Sequence, residues 1–256
     1  RSLLDIDDED SEALAALHRL FADSEQGADL QEILERQLKI AVAAERRDKV
    51  ISLRKQLADV MLESEEQVSE AIDHLEAVLL EQPDHFEARV SLERLLTHDD
   101  VCGRAALILE PVYVLAEDWR SLSRALEIRL TEADSLAATC ALLRRLGRLY
   151  VEHTDNVQRA FDVFTTLYRY NPQETDTLNE ICRLADVVDG WSEVAQLLED
   201  ILPDVAEPAR ARRLVGRLAG IYEHRLRSVG MAVDAHRRVL EIDGADEHSI
   251  EALDRL

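Results

Sequence analysis

Aromatic residues make up only 4% of this chain, and there are just 3 cysteines, 5 prolines and 8 glycines in 256 residues. With so few rings, packing falls to Leu, Ala and Val, which an all-helical protein permits. The shortage of Gly and Pro leaves no tract that would serve as a linker between separate domains. No apolar run approaches the roughly 18 residues of a membrane span, and no charged-then-apolar leader opens the chain. Cys102, Cys140 and Cys182 are far apart and odd in number. They read as packed free thiols of a reducing compartment, not as a disulfide framework or a nucleophile, so the expected location is cytoplasmic.

Positive charge is also in deficit. Against 53 acidic residues stand 30 basic ones, a net charge of −23, and Lys39, Lys49 and Lys55 are the only lysines. An acidic chain of this kind repels phosphate backbones and anionic bilayers, which disfavours nucleic acid and membrane surfaces as partners. The preference for arginine over lysine echoes a GC-rich, bacterial genome. Catalytic signatures are missing too: there is no HExxH, GxSxG, P-loop or GxGxxG. His98-Asp99-Asp100-x-Cys102 has ligand-type residues, but in a polar inter-helix turn where they are ordinary. No enzymatic chemistry, cofactor or metal is therefore expected.

What the chain does contain is repetition, which overrides other fold readings. Leu146, Gly147 and Tyr150 stand at helical spacing, followed by Ala160, Phe164 and Leu167, with Pro172 closing the stretch. A shift of 89 residues back gives Leu57, Ala58, Met61, then Ala71, Leu75, Val78 and Pro83. A shift of 72 forward gives Leu218, Ala219, Tyr222, then Ala232, His236, Val239 and Gly244. The small positions stay small in every copy, because two helices approach to the short end of the ~8–10 Å packing range only there. A second kind of helix pair alternates with the first. Its opening helix carries Leu14-x2-Leu17-x2-Leu20, Leu92 with Leu95, or Leu178-x2-Ile181-x2-Leu184. Its closing helix carries Leu-Glu at 34–35, 126–127 and 198–199, and Trp119 and Trp191 open two of these closing helices.

The Leu-Gly-x2-Tyr and Ala-x3-Phe-x2-Leu-x4-Pro stretches resemble the tetratricopeptide repeat (TPR), and the resemblance runs along essentially the whole chain. It implies an all-α fold: an α-solenoid of antiparallel helix pairs wound as a right-handed superhelix, with about 13–14 helices. The expected units are 3–80, 81–170, 171–242 and a partial repeat at 243–256. Neither end has the polar cap a solenoid needs, so a segment of a longer protein is expected. Within the second unit, Leu95 lies 24 residues before Trp119, whereas Leu184 lies seven before Trp191. The surplus predicts one inserted helix near 102–116, broken or kinked at Pro111.

The resemblance also implies a protein-binding scaffold whose concave groove takes a peptide, helix or small domain. The alternative is a regulatory or targeting arm of a larger enzyme or signalling protein. Concave-face positions point to Arg19, Arg94, Arg144, Arg148, Arg183 and Arg255, a row of guanidiniums able to receive carboxylates. The competing expectation is that each pairs with an acid on the next helix. Lysines end at Lys55, so the resemblance does not extend to the inner Lys and Asn set of chaperone-clamping members.

Overall fold

A computed structural model describes residues 27–256. The opening helix expected from Leu14, Leu17 and Leu20, and Arg19 with it, lies outside the described residues. Within them are 13 α-helices and no strand. The chain forms two compact units, one running to Glu132 and the other spanning Ala133–Leu256.

The first unit contains α1 (Gly27–Ala43), α2 (Arg47–Met61), α3 (Val68–Glu81), α4 (Phe86–Leu95), α5 (Cys102–Leu115) and α6 (Trp119–Thr131). Each helix packs on the next, and the short loops make neighbours antiparallel. The first copy of the repeat is the α2–α3 pair, where Leu57, Ala58, Ala71, Leu75 and Val78 are all fully buried.

The surplus stretch is helical. Residues Cys102–Leu115 form one unbroken helix with Pro111 inside it. This helix also does not stand apart from the array. It forms an extensive hairpin with α6, so α5, and not α4, is the partner of the Trp119 helix. The connection explains the pairing. Glu117 takes a left-handed φ of 53°. Asp118 N then donates to Tyr113 O at 2.9 Å, and its side chain accepts from Ser121 N at 3.1 Å. This turn ends one helix and caps the next within three residues. Across the hairpin, the buried Glu110 is ion-paired with Arg129.

The second unit contains α7 (Leu136–His153), α8 (Val157–Tyr170), α9 (Thr175–Val188), α10 (Trp191–Ile201), α11 (Pro208–Gly220), α12 (Val229–Ile242) and α13 (Glu247–Arg255). The α7–α8 pair holds the best-matching repeat. Its core is Leu143, Leu146, Tyr150, Ala160, Phe164 and Leu167, each at most 5% exposed. Gly147 lets the helices close: an ideal Cβ there would stand 2.7 Å from Phe164 Cζ. Alanine replaces this glycine at Ala58 and Ala219, where helix B carries Leu75 or His236 in place of phenylalanine.

Helix α11 ends its regular α-helical run at Gly220. Beyond Gly220 it widens into a π-turn over Ile221–Arg225, and Leu226 N donates to Ile221 O at 3.0 Å. Tight hairpins recur with one backbone device. Glu45, Glu117, Asp155, Asp189 and Arg227 all have φ between 49° and 58°, and each stands two residues before the next helix.

Candidate partner-binding surfaces

Side-chain geometry separates the six arginines. On α7, the buried stripe turns Arg144 and Arg148 to the opposite side. Arg144 grips Glu174, the residue preceding α9, with Nε at 3.1 Å and Nη2 at 3.0 Å from its two oxygens. This fork holds the Glu174 carboxyl below its ordinary pKa and raises that of the guanidinium. Arg183 bonds Glu180 one turn earlier on its own helix, at 3.0 and 2.6 Å. Arg255 on α13 is paired with Glu223 in the π-turn of α11. Arg94 and Arg148 are exposed and have no ion pair among the described residues. The structure therefore brings Arg144, Arg183 and Arg255 to carboxylates of their own unit and leaves two guanidiniums open.

Other residues complete a ladder across the second unit that periodicity does not mark. Arg217 on α11 bonds Asn179 on α9 through both terminal nitrogens at 3.0 Å. Arg225 pairs with Asp186 at 2.8 Å, and its guanidinium lies 4.7 Å over the Trp191 ring. Trp191 in turn donates from Nε1 to Asp186 at 3.1 Å. The tryptophan opening α10 is thus a half-buried plate clamped by a cation and a carboxylate. The guanidinium stacking on it is of the cation–π kind.

His236 occupies the aromatic position of the third copy and is 1% exposed. Its Nδ1 meets Ser249 Oγ at 3.1 Å, and Nε2 lies 3.6 Å from Glu223 Oε2. Burial pushes its pKa down, and Glu223 offsets part of that. Neither this cluster nor the turn at 98–102 makes a metal centre. Among the described residues no group of three or more His, Cys, Asp or Glu side chains is disposed to hold a metal ion. Nor is any described helix long and apolar enough to cross a membrane.

The first unit offers two further surfaces. Helix α5 buries Ala105, Ala106, Leu109, Val112 and Tyr113, yet it is apolar on its other side as well. Leu107, Val114 and Leu115 are 51%, 42% and 68% exposed, and Pro111 is exposed between them. These residues stand at i, i+4, i+7 and i+8, one continuous stripe. Separately, α2 and α4 flank an open groove whose two parts have volumes of about 680 and 300 Å³ and share Asp59 as a lining residue. Sequence periodicity missed the stripe because a helix apolar all round shows no contrast between its faces.

No family model matches the chain, and no curated protein does. Solved structures do. The C-terminal part of a TPR repeat-containing protein from Cytophaga hutchinsonii aligns over 98% of this chain and 97% of its own, at 12% identity and a TM-score of 0.36. PilF of Pseudomonas aeruginosa aligns over 91% and 100%, at 12% identity and a TM-score of 0.34. A thermophilic TPR protein of Thermus thermophilus aligns over 88% and 97%, at 15% identity and a TM-score of 0.29. Its own antiparallel helix pairs, closed by small residues, make the described chain an all-α helical-repeat fold, and these solved TPR proteins are what it is similar to.

Proposed function

We propose that the chain is a protein–protein interaction scaffold of the cytoplasm, without catalysis of its own. The observation that carries this reading is the apolar stripe on α5. Leu107, Pro111, Val114 and Leu115 expose contiguous apolar surface on a helix held rigidly by its hairpin with α6. Exposed apolar patches on an otherwise charged surface are what partner proteins cover. A helical stripe at i, i+4, i+7 and i+8 has the spacing of helix-in-groove or helix-on-helix recognition. Arg148, exposed beside the α7 core, is the candidate guanidinium for a partner's carboxylate. Arg144 and Arg255 tie one helix of their unit to another, and Arg183 is paired within its own helix.

The test is affinity capture from lysate of the source cell with wild type beside Leu107→Asp/Leu115→Asp. Both positions are more than half exposed, so the variant should keep wild-type helical content. A protein retained by wild type and lost by the variant is the expected result. Identical captured sets on both proteins would remove the stripe as a contact surface.

A further inference from the structure

We propose that the groove between α2 and α4 receives an extended, lysine- or arginine-rich segment of a partner protein. The inference deepens the scaffold reading and rests on it. On α2 and just past its end, the lining residues Asp48, Ser52, Lys55, Asp59 and Glu63 recur every three or four positions, which is one helical face. On the other side, Glu87, Ser91, Arg94 and His98 do the same along α4 and just past its end. Two parallel faces of this kind define a trough, not a pit. Its α2 wall is about 20 Å long at 1.5 Å per residue, room for roughly six extended residues.

Charge decides what fits. Lys55 is buried and spent within the chain: its Nζ lies 2.5 and 2.7 Å from the two oxygens of Asp59. Removing that pair leaves Asp48, Glu63, Glu65, Glu87 and Asp100 along the trough, none with an ion pair among the described residues. Opposing them is a single open cation, Arg94. Five carboxylates against one guanidinium favour a cationic ligand and repel an anionic one. Leu62, Val68, Leu95 and Val101 line the wider part, giving apolar contact for alternate side chains or for lysine and arginine stems. A trough about 20 Å long with acids along it suits an extended segment, whose side chains can reach both walls.

This assignment reverses the sense of one arginine. If the trough took carboxylates, Arg94 would anchor them. In a trough for cations, Arg94 repels the ligand, and its removal strengthens binding.

The experiment uses the whole chain and a fluorescein-labelled library of seven-residue peptides, with Lys or Arg at alternate positions and Ala, Leu or Val between. A library with Glu or Asp in place of the basic residues is the comparison, and anisotropy is the readout. The basic library should bind and the acidic one should not. Glu63→Gln/Glu65→Gln/Asp100→Asn should weaken binding roughly tenfold, the scale set by three partly exposed charge contacts. Glu193→Gln/Asp204→Asn/Glu251→Gln removes the same charge at exposed positions that line neither part of the groove and should leave affinity within about twofold, because a solvated charge that touches no ligand contributes little. Arg94→Ala should tighten binding severalfold. Equal losses in the two triple variants would show nonspecific attraction to an acidic protein and overturn the proposal. So would binding of the acidic library, or weaker binding by Arg94→Ala. Loss of the basic peptide alone, with α5-dependent capture intact, sinks only the groove. Failure of both sinks the scaffold reading as well.

Discussion

Replacing Gly147 by alanine tests whether the small residue of the repeat is there for helix approach. A helical Gly→Ala change normally stabilises by about 1 kcal/mol, because glycine loses more backbone freedom on folding. Here the new Cβ would stand 2.7, 2.9 and 2.9 Å from Cζ, Cε1 and Cε2 of Phe164. Carbon atoms in ordinary contact are about 3.5–4.0 Å apart, so the ring or helix α8 must retreat by nearly 1 Å. Phe164 is 5% exposed and its neighbour Leu167 fully buried, so no empty space receives the ring. Overpacking of this sort costs about 1–3 kcal/mol, which cancels or exceeds the propensity gain and leaves a net loss near 1 kcal/mol. Shortening the ring to leucine, as the first copy has at Leu75, should release the clash. In a Phe164→Leu background, Gly147→Ala should then stabilise by up to about 1 kcal/mol. Urea unfolding followed by circular dichroism of the four proteins reads the change of sign as a coupling energy. If Gly147→Ala stabilises equally in both backgrounds, the glycine is not required by the α7–α8 approach and the reasoning fails.

Further outcomes are expected from three features: the left-handed turns, the Glu110–Arg129 pair and the buried histidines. Glu117 pays for its left-handed φ of 53° as a non-glycine residue, so Glu117→Gly should raise stability by about 1 kcal/mol in thermal unfolding. Asp155→Gly should gain less, since aspartate tolerates that region better. Arg129→Ala removes a charge partner of the buried Glu110 and should cost about 2 kcal/mol in the same assay, less than for a fully buried pair because Arg129 is 27% exposed. Glu110→Leu/Arg129→Met should recover most of that loss. Finally, burial lowers the pKa of His236 below its unfolded value of 6.5, so the unfolded chain takes up the proton first. The stability it contributes is complete above pH 6.5 and is lost as pH falls toward the depressed folded value. His74, lowered by burial and then by Arg54, acts in the same direction. Unfolding free energy measured from pH 7.5 to 5.5 should fall, with a limiting slope of about 1.4 kcal/mol per pH unit for one proton. His236→Leu should flatten that slope without abolishing it; an unchanged slope would place the linkage elsewhere.

Much of the architecture is legible in the chain because it depends on local spacing. The three copies of the Leu-small-x2-large pattern locate α2, α7 and α11, and their Ala-x3 partners locate α3, α8 and α12, each where periodicity predicts. Trp119 and Trp191 open helices as expected. The pairing of α5 with α6 was not legible. It follows from the turn at Glu117 and from the Glu110–Arg129 contact, and neither leaves a periodic signal. The arginine row divided for a similar reason. Arg144 and Arg148 are one turn apart on the same side of α7, and only the position of Glu174 after a different helix separates their environments.

The repeat of small and large residues by itself determined that this chain folds as antiparallel helix pairs, since that pattern reports how closely two neighbouring helices can pack. Composition alone set the overall acidity. Which charges remain open was decided by the tertiary structure. Arg144 and Arg255 meet carboxylates of their own unit, while Arg148 and the groove acids Asp48, Glu63, Glu65, Glu87 and Asp100 have no ion pair among the described residues. The exposure of Leu107, Val114 and Leu115 was decided in the same way. Charge pairing and exposure depend on groups some 30 residues apart in the chain meeting in space, such as Arg144 and Glu174, and no local spacing records that.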